Sequence, residues 1–353
     1  MLHIVEPTLN SFAGHCHSLV EAVTQAMPET PVTIWAGRGS QAFWSGPGTL
    51  KPYFYRTWRR LQAFWLYRKL LRSDDKILIS TAGTSDFFTL DWICAKPLRA
   101  RQVYLYVHWL GAKHHKTEQL RKVAIRQPEL EVLTTTETVA AFFRGIGFRA
   151  KAVPYPVAAN AAPGAPSASF RRLVVAGAAR MDKGFDRVVD LVEELKAQRS
   201  TLPIVIQASA THRDKHPPDV AALIDKLVHL DYACLELMTE TLTPQAYRAL
   251  FAGGISLQPY SVQAFQDRVS GVTLDALAAG CPIVTTAHTW LARMVDRHGA
   301  GMAAESLSPK GLREAINAVV ADYGSFAANA ARAGQVIRSE HSATAMVHAL
   351  FSS

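Results

Sequence analysis

The segment from Asp267 to Pro282 reads Asp-Arg-Val-Ser-Gly-Val-Thr-Leu-Asp-Ala-Leu-Ala-Ala-Gly-Cys-Pro. Ser270 can cap an apolar helix with its hydroxyl, and Gly271 leaves the first helical amides open to close approach. A glycine and a proline end the helix, and the β-branched run Ile283 to Thr286 follows. The segment therefore predicts a loop, helix and strand in sequence, which is the repeating unit of an α/β sheet.

The start of this helix predicts a binding site for an anion. Free backbone donors and the positive end of the helix dipole attract negative charge, and phosphate is the usual occupant. Asp267 lies outside the helix start and Asp275 about one turn inside it, eight residues apart. A ligand with a charged middle and hydroxylated ends would reach both carboxylates, and a nucleotide sugar is such a ligand.

The α/β pattern runs through the chain twice. The first half contains five strand-like runs: Leu2–Val5, Val32–Trp35, Ile77–Ser80, Val103–Val107 and Val132–Thr135. Five more follow a loose segment rich in Ala, Pro, Gly and Ser: Leu173–Ala176, Ile204–Ala208, Cys234–Leu237, Gly254–Leu257 and Ile283–Thr286. We expect two Rossmann-like, doubly wound domains facing a cleft, because ligands bind at the carboxyl ends of open α/β sheets.

The predicted boundaries are 1–156 for an N-terminal acceptor domain, 157–170 for a linker and 171–325 for a C-terminal nucleotide-sugar domain. A helical segment at 326–353 closes the chain and is expected to cross back to the first domain. A length of 353 residues suits two domains, each able to bury its own core.

The composition argues against a membrane-spanning or disulfide-rich protein but does not identify a binding partner. No apolar run reaches the roughly 18 residues needed to span a bilayer, and the N-terminus lacks a signal sequence. The four cysteines are widely spaced, which suits reduced thiols in a cytoplasmic protein better than disulfides or zinc. The formal net charge of +9 favours nucleotides, nucleic acid or an acidic membrane surface.

Four segments together resemble a known family. They are Leu2–Val5 with the glycine loop Phe12-Ala13-Gly14-His15, Thr134–Val157, Leu173–Phe185 and Asp267–Pro282. In this order and at these distances they resemble glycosyltransferases of the GT-B fold, closest to the family 4-like group. The last segment is similar to that family's Glu-x7-Glu motif.

The resemblance implies transfer of a sugar from a nucleoside-diphosphate sugar to a hydroxyl acceptor, retaining and without a metal. It also implies a glycan or lipid-linked acceptor, in bacterial surface polysaccharide or glycolipid assembly. No cofactor is expected beyond the donor substrate, and no nucleic acid. A sugar-nucleotide epimerase of the same fold and a non-catalytic nucleotide-sugar-binding subunit remain as alternatives.

The family's functional residues carry over by position. Arg180, Lys183 and Arg268, with the amides at Ser270 and Gly271, are expected at the diphosphate, where charge develops as the sugar leaves. Asp275 would hold the ribose and Asp267 the donor sugar. His108 would lie near the sugar or the acceptor hydroxyl, and Gly14 would line the donor site.

Two departures from the family and two alternative roles accompany these assignments. The family's two motif glutamates are Asp267 and Asp275 here, and each loses one methylene of reach. Ala178 stands where many relatives have arginine, so Arg180 would substitute from two residues further on. Asp267 could instead pair with Arg293 on the surface, and His108 could be a structural histidine.

The stretch from Lys51 to Arg72 contains seven basic residues, no acidic ones and seven aromatics. Cationic segments with interfacial aromatics suit anionic bilayers, which predicts peripheral contact with the inner face of the membrane. At 100° per residue, however, apolar and basic positions do not separate. A helix packed on its domain with cations reaching outward is the alternative.

Overall fold

Short runs of apolar, β-branched residues form two sets of parallel strands. The structure is a computed structural model that describes residues 1–10, 15–109, 114–157, 169–210, 216–240 and 242–352, with the backbone alone at 15, 114 and 115. The chain divides into two units. Met1–Ala159 and Glu340–Ser353 form the first, and Asn160–Ser339 forms the second.

The first unit is built on a seven-stranded parallel sheet. Its strands are β1 (Leu2–Glu6), β2 (Val32–Gly37), β3 (Thr49–Phe54), β4 (Lys76–Ile79), β5 (Val103–Val107), β6 (Glu131–Thr134) and β7 (Arg149–Ala152). They lie in the order β3-β2-β1-β4-β5-β6-β7. In register, Ile4 of β1 lies between Ile34 of β2 and Leu78 of β4. All five residues of β1 and of β5 are buried, as expected for a parallel sheet covered on both faces.

The described residues of this unit form six helices. They are α1 (His15–Gln25), α2 (Arg59–Leu70), α3 (Thr84–Ile93), α4 (His114–Arg126), α5 (Glu137–Gly145) and the C-terminal helix, which is α14 (Ala343–Phe351). A short 3-10 helix, Arg38–Ala42, follows β2. Phe87 of α3 stacks on Phe143 of α5 with ring centroids 5.4 Å apart, at the centre of the core.

The second unit repeats this design on six parallel strands. They are β8 (Arg172–Val175), β9 (Ile204–Gln207), β10 (Leu235–Met238), β11 (Gly254–Gln258), β12 (Ile283–Thr286) and β13 (Gly301–Ala304). Their order is β10-β9-β8-β11-β12-β13. The helices are α6 (Phe185–Ala197), α7 (Pro218–Val228), α8 (Pro244–Leu250), α9 (Val262–Phe265), α10 (Gly271–Ala278), α11 (Trp290–His298), α12 (Pro309–Ala321) and α13 (Tyr323–Glu340), and a 3-10 helix covers Met181–Lys183.

Each sheet has one point at which the strand order reverses. In the first unit it lies between β1 and β4, and in the second between β8 and β11. Helices leave opposite faces of the sheet there, so the loops after these two strands separate and open a crevice at the carboxyl edge. The residues just after β1, β4, β8 and β11 are therefore the first to consider as binding residues.

The predicted fold class of two doubly wound α/β domains is confirmed. The sequence prediction missed β3, β7 and β13. Gly14 and residues 158–168 of the predicted linker lie outside the described residues.

Candidate functional site

A tight basic loop follows β8 at the reversal point of the second sheet. It begins at Gly177, which has a φ of +95° and donates its N–H to Gln207 Oε1 at 2.7 Å. It ends at Gly184, where φ is +67° and an added Cβ would meet the Pro259 carbonyl oxygen at 2.0 Å. Because neither conformation suits a side chain, the two glycines fix the course of the loop that carries Arg180 and Lys183.

Lys183 points back across this loop. Its ammonium lies 3.1 Å from the position of a Cβ on Gly177 and 5.5 Å from the ring centroid of Tyr260, the second residue after β11. Burial, followed by repulsion from Arg180, lowers the pKa of Lys183 to about 8. The same residues line a small cavity together with Gln207.

Two guanidinium groups accompany this lysine. Arg180 Nε donates to Asp182 Oδ1 at 2.8 Å, and Arg268 Nη1 lies 3.4 Å from Asp182 Oδ2. Burial and the neighbouring Arg180 lower the pKa of Arg268, which also lies over the ring of Phe265. Both guanidinium groups thus contact one carboxylate, and together with Lys183 they leave an excess of positive charge at the carboxyl edge of the sheet.

The start of α10 forms as the sequence predicts. Ser270 is buried, and its Oγ accepts the N–H of Thr273 at 3.3 Å, which is an N-cap. Thr273 in turn donates its hydroxyl to Gln258 Oε1 at 2.6 Å and ties the helix start to β11. A Cβ added at Gly271 would meet nothing within 4 Å, so the first amides of α10 border open space.

Asp275 lies one turn further along α10, where its carboxylate is partly buried. Tyr247 of α8 donates its hydroxyl to Asp275 Oδ2 at 3.1 Å. Burial raises the pKa of Asp275 to about 6, and Tyr247, Arg248 and Lys183 limit the rise. The carboxylate is therefore near the cationic cluster and keeps one oxygen for a further donor.

Asp267 lies outside this cluster of contacts. Arg293 of α11 donates to its Oδ1 at 3.1 Å and to the Gln266 carbonyl at 2.6 Å. The structure therefore shows the surface pairing that the sequence left open as an alternative for this residue. A role at a donor sugar would require Asp267 to contact the sugar through its second oxygen or to exchange partners.

His108 follows β5 in the first unit and is buried. Its Nε2 lies 2.7 Å from the Ser80 carbonyl, and because a carbonyl only accepts, this nitrogen carries the hydrogen. The ring packs edge-on against Tyr106 and Tyr155. The imidazole is thus held in one tautomer at the carboxyl edge of the first sheet.

No family profile and no curated protein matches the sequence. Solved structures match over nearly its whole length. HepE of Anabaena, in complex with UDP-glucose, is 13% identical with a TM-score of 0.73, covering 99% of this chain and 98% of its own. WaaG, a glycosyltransferase involved in lipopolysaccharide biosynthesis, is 15% identical with a TM-score of 0.67, covering 100% of both chains.

Sucrose-phosphate synthase from Thermosynechococcus elongatus gives 14% identity and a TM-score of 0.71, over 99% of this chain and 97% of its own. These neighbours are glycosyltransferases of one architecture. The chain has the GT-B fold. The resemblance that its motifs predict is confirmed at the level of the fold.

Sequence reasoning missed several residues at the two edges of this GT-B fold. In the second unit they are Gly177, Asp182, Gln207, Tyr247 and Tyr260. In the first unit they are Glu6, Thr8, Ser80 and Thr81. Four of them, Thr8, Ser80, Thr81 and Tyr260, share one signal, a polar or aromatic residue in the two positions after a buried strand. Tyr247 has no such signal, because it reaches Asp275 from a helix 28 residues earlier.

An exposed apolar stripe lies on α2 of the first unit. Trp58, Leu61 and Trp65 follow one another at spacings of three and four and are 63%, 51% and 57% exposed. The opposite face of the helix is also apolar, and its residues Ala63, Leu66, Tyr67 and Leu70 are buried. Because the helix has two apolar faces, its apolar and basic residues do not separate into two faces at helical periodicity.

A neighbouring helix extends this stripe. Trp92 of α3 is 79% exposed, and Phe64 of α2 lies between it and Trp65, with ring centroids 5.1 and 5.3 Å away. Exposed cations of the same segment surround it: Arg59, Arg60, Arg68, Lys69 and Arg72. We call Trp58, Leu61, Trp65 and Trp92 the tryptophan patch. Within the described part of the chain, no helix is long and apolar enough to cross a bilayer.

Proposed function

We propose that the protein transfers a glycosyl group from a nucleoside-diphosphate sugar to a hydroxyl acceptor. The observation that carries this proposal is the convergence of Arg180, Lys183 and Arg268 beside the open amides at Gly271. Three cations and free helical amides match the charge of a diphosphate. The same fold in HepE holds UDP-glucose, which supports the same class of donor.

In this proposal the cations and amides act mainly on the leaving group. When the bond from the anomeric carbon to the diphosphate oxygen breaks, its electron pair stays on that oxygen. Lys183, as a compact charge, and Arg180, as a planar fork, stabilise the charge that develops. They supply the charge that a metal ion would otherwise supply, so we propose a metal-independent reaction.

The remaining roles follow the chemistry of the donor. Asp275 would accept the ribose hydroxyls, since one of its oxygens is already held by Tyr247. Asp267 would contact the donor sugar, and His108 would contact the sugar or the acceptor. We propose retention, with the acceptor oxygen attacking from the face that the diphosphate leaves. The departing phosphate oxygen would take the acceptor proton, which balances the step without a carboxylate nucleophile.

Donor turnover tests the assignment. UDP- and GDP-sugars are screened for release of the nucleoside diphosphate, and binding of UDP and GDP is measured by calorimetry. Lys183→Ala is expected to weaken nucleotide binding at least tenfold, because it removes a charge-assisted contact worth about 1.5–3 kcal/mol. Lys196→Ala is the matched control, because Lys196 is an exposed lysine at the other end of α6.

Unchanged nucleotide binding in Lys183→Ala would overturn the proposed diphosphate site. Product analysis without an acceptor separates the alternatives. A changed sugar still attached to its nucleotide would indicate an epimerase. Binding without turnover on any glycan or lipid acceptor would indicate a binding subunit.

We further propose that the tryptophan patch docks on an anionic membrane surface, where a lipid-linked acceptor of a surface polysaccharide or glycolipid would reside. Interfacial tryptophans with a rim of arginines fit anionic headgroups better than they fit water. The segment 51–72 has no acidic residue that would oppose such contact. WaaG, which has the same fold, acts in lipopolysaccharide biosynthesis, in agreement with this setting.

Vesicle sedimentation tests the surface. The protein is expected to bind vesicles that contain 30% phosphatidylglycerol and to bind pure phosphatidylcholine weakly. Trp65→Ala with Trp92→Ala should lower the bound fraction at least fivefold. Ile125→Ala is the control, because Ile125 is 75% exposed on α4 of the same unit. Equal binding of the double variant and the control would contradict the proposal.

A further inference from the structure

A fully buried carboxylate lies at the reversal point of the first sheet. Glu6 ends β1 and is completely inaccessible to solvent. Its Oε1 accepts the Thr8 N–H at 3.1 Å and the Thr8 hydroxyl. Its Oε2 accepts the Ser80 hydroxyl at 2.8 Å and the Thr81 hydroxyl. Four donors satisfy the charged form of the side chain, which makes a buried carboxylate tolerable.

This arrangement fixes the direction of the surrounding hydrogens. A carboxylate only accepts, so the hydrogens of the Thr8 and Thr81 hydroxyls point towards Glu6. Burial raises the pKa of Cys16, and its protonated thiol, 3.1 Å from Thr8 Oγ1, can donate to one lone pair there. Thr8 and Thr81 are only half-buried, so their remaining lone pairs are turned away from the carboxylate.

The same contacts reach His108. Ser80 donates its hydroxyl to Glu6, and its carbonyl accepts the hydrogen of His108 Nε2 at 2.7 Å. The Ser80 hydroxyl also lies 3.2 Å from the Val5 carbonyl, but the shorter contact to a charged acceptor is the stronger one. Glu6 therefore orients the Thr8 and Thr81 hydroxyls as acceptors of hydrogen bonds.

We infer that this Glu6 cluster (Glu6, Thr8, Ser80 and Thr81) binds the hydroxyl groups of a neutral sugar, with Glu6 as a positioning residue. The ligand must donate hydrogen bonds, because the cluster presents acceptors. An anionic group is disfavoured, because the buried charge of Glu6 would repel it where screening is weak. The inference rests on the proposed function and identifies the acceptor of the glycosyl group as an uncharged molecule with several hydroxyl groups.

Binding of simple sugars tests the inference directly. Protein labelled with carbon-13 at the threonine methyl groups is titrated with the methyl glycosides of glucose, galactose, mannose and N-acetylglucosamine, and with their 6-phosphates. Thr8→Ser and Thr81→Ser assign the two signals. We expect at least one methyl glycoside to shift both signals and to bind at least tenfold more tightly than its 6-phosphate. No shift with any glycoside would overturn the inference.

Glu6→Gln separates positioning from structural support. The amide matches the carboxylate in volume but must donate, so one threonine hydroxyl loses its orientation and the repulsion of phosphate disappears. We expect weaker binding of the methyl glycoside and a neutral-to-phosphorylated affinity ratio reduced about tenfold, since a hydrogen bond of this kind contributes about 1–1.5 kcal/mol. An unchanged ratio of the two affinities in a folded Glu6→Gln protein would show that Glu6 has only a structural role.

Thr81→Val keeps the inference testable if Glu6→Gln does not fold. Valine has the shape of threonine without its lone pairs, and the glycoside is expected to bind about tenfold more weakly. Thr89→Val is the matched control on α3, because Thr89 bonds only within its own helix in the structure. Glycoside binding that matches the control would contradict the inference. UDP binding, measured in parallel, tests the donor site independently, so a failure of either proposal can be told from a failure of the other.

Discussion

Lys183 and Asp275 have pKa values displaced in opposite directions, and burial is the largest cause for both. The ammonium titrates near 8 and the carboxyl near 6, so each charged form is held at a cost in the free protein. A nucleoside diphosphate would offset both costs, because phosphate stabilises the ammonium and ribose hydroxyls stabilise the carboxylate. The two shifts therefore favour ligand binding over the stability of the free protein.

The first prediction concerns the pH dependence of nucleotide affinity. Lys183 is protonated below about pH 8, so UDP affinity should fall as pH rises above that value. Asp275 is ionised above about pH 6, so affinity should fall again below it. Calorimetry from pH 5 to 10 should show strongest binding between 6 and 8. Lys183→Arg should remove the alkaline limb and Asp275→Asn the acid limb, whereas a flat profile would contradict both roles.

A second prediction concerns stability. Because the folded-state pKa of Lys183 is depressed, the unfolded chain binds more protons between about pH 8 and 10.5, and stability should rise with pH across that window. At pH 7 the charged lysine destabilises the fold. Lys183→Met should stabilise the protein by roughly 1–2 kcal/mol, after allowance for partial exposure, while nucleotide binding is lost. Denaturant unfolding measures the gain, and an equal gain in Lys196→Met would show that the cause is not local.

At the scale of elements, every strand that the sequence missed lies at the edge of a sheet, although one edge strand, β10, was predicted. Central strands such as β1 and β5 are buried on both faces, and their continuous apolar runs were found. The missed strands β3, β7 and β13 all lie at sheet edges, where one neighbour is absent and the burial is partial. β3 even contains Pro52, which edge strands tolerate. β3, β7 and β13 lack a continuous apolar run because each is paired on one side only and is partly exposed, whereas the edge strand β10 was predicted as Cys234–Leu237.

The candidate site divides in a similar way. The cap at Ser270 and the cations after β8 could be predicted, because their chemistry depends on neighbours within a few residues. Glu6, Tyr247 and Tyr260 could not, because each acquires its role only when distant segments pack together. Glu6 meets Ser80 and Thr81 across 74 and 75 residues. The cationic part of the proposed donor site was thus predictable from the sequence, and the Glu6 cluster was not.

The third prediction tests the start of α10. Gly271 has open space where a Cβ would lie, and alanine favours a helix over glycine by about 1 kcal/mol. Gly271→Ala should therefore leave stability unchanged or raise it, yet weaken UDP binding at least fivefold by crowding a phosphate off the amides. Gly324→Ala on α13, also in open space, is the control. Equal UDP affinity in the two variants would show that phosphate does not approach Gly271.

At the scale of the whole molecule, the C-terminal residues form hydrogen bonds with strands of the first unit. The Tyr104 hydroxyl of β5 donates to the Leu350 carbonyl at 3.1 Å, and Lys151 of β7 donates to the Ala349 carbonyl at 3.1 Å. The His341 ring contacts the Tyr155 carbonyl through Nδ1 at 2.9 Å, and the His341 backbone carbonyl accepts the Val157 N–H at 2.8 Å. Helix α14 is therefore a structural part of the first unit although it is last in sequence.

The fourth prediction follows from that connection. Truncation after Ser342 removes α14 with Met346 and Leu350, both fully buried, and exposes the surface of α1 that this helix covers. Burial of such side chains contributes about 1.5–3 kcal/mol each, so hydrogen exchange in β1 and β5 should accelerate strongly. The second unit, Asn160–Ser339, keeps all its strands, so β8 and β11 should keep their protection and UDP should bind unchanged. The control truncation removes only Ser352 and Ser353 and should leave both units as they are. If the longer truncation instead lost protection equally in both sheets, the two units would unfold as one, and α14 would support the whole chain rather than its first unit.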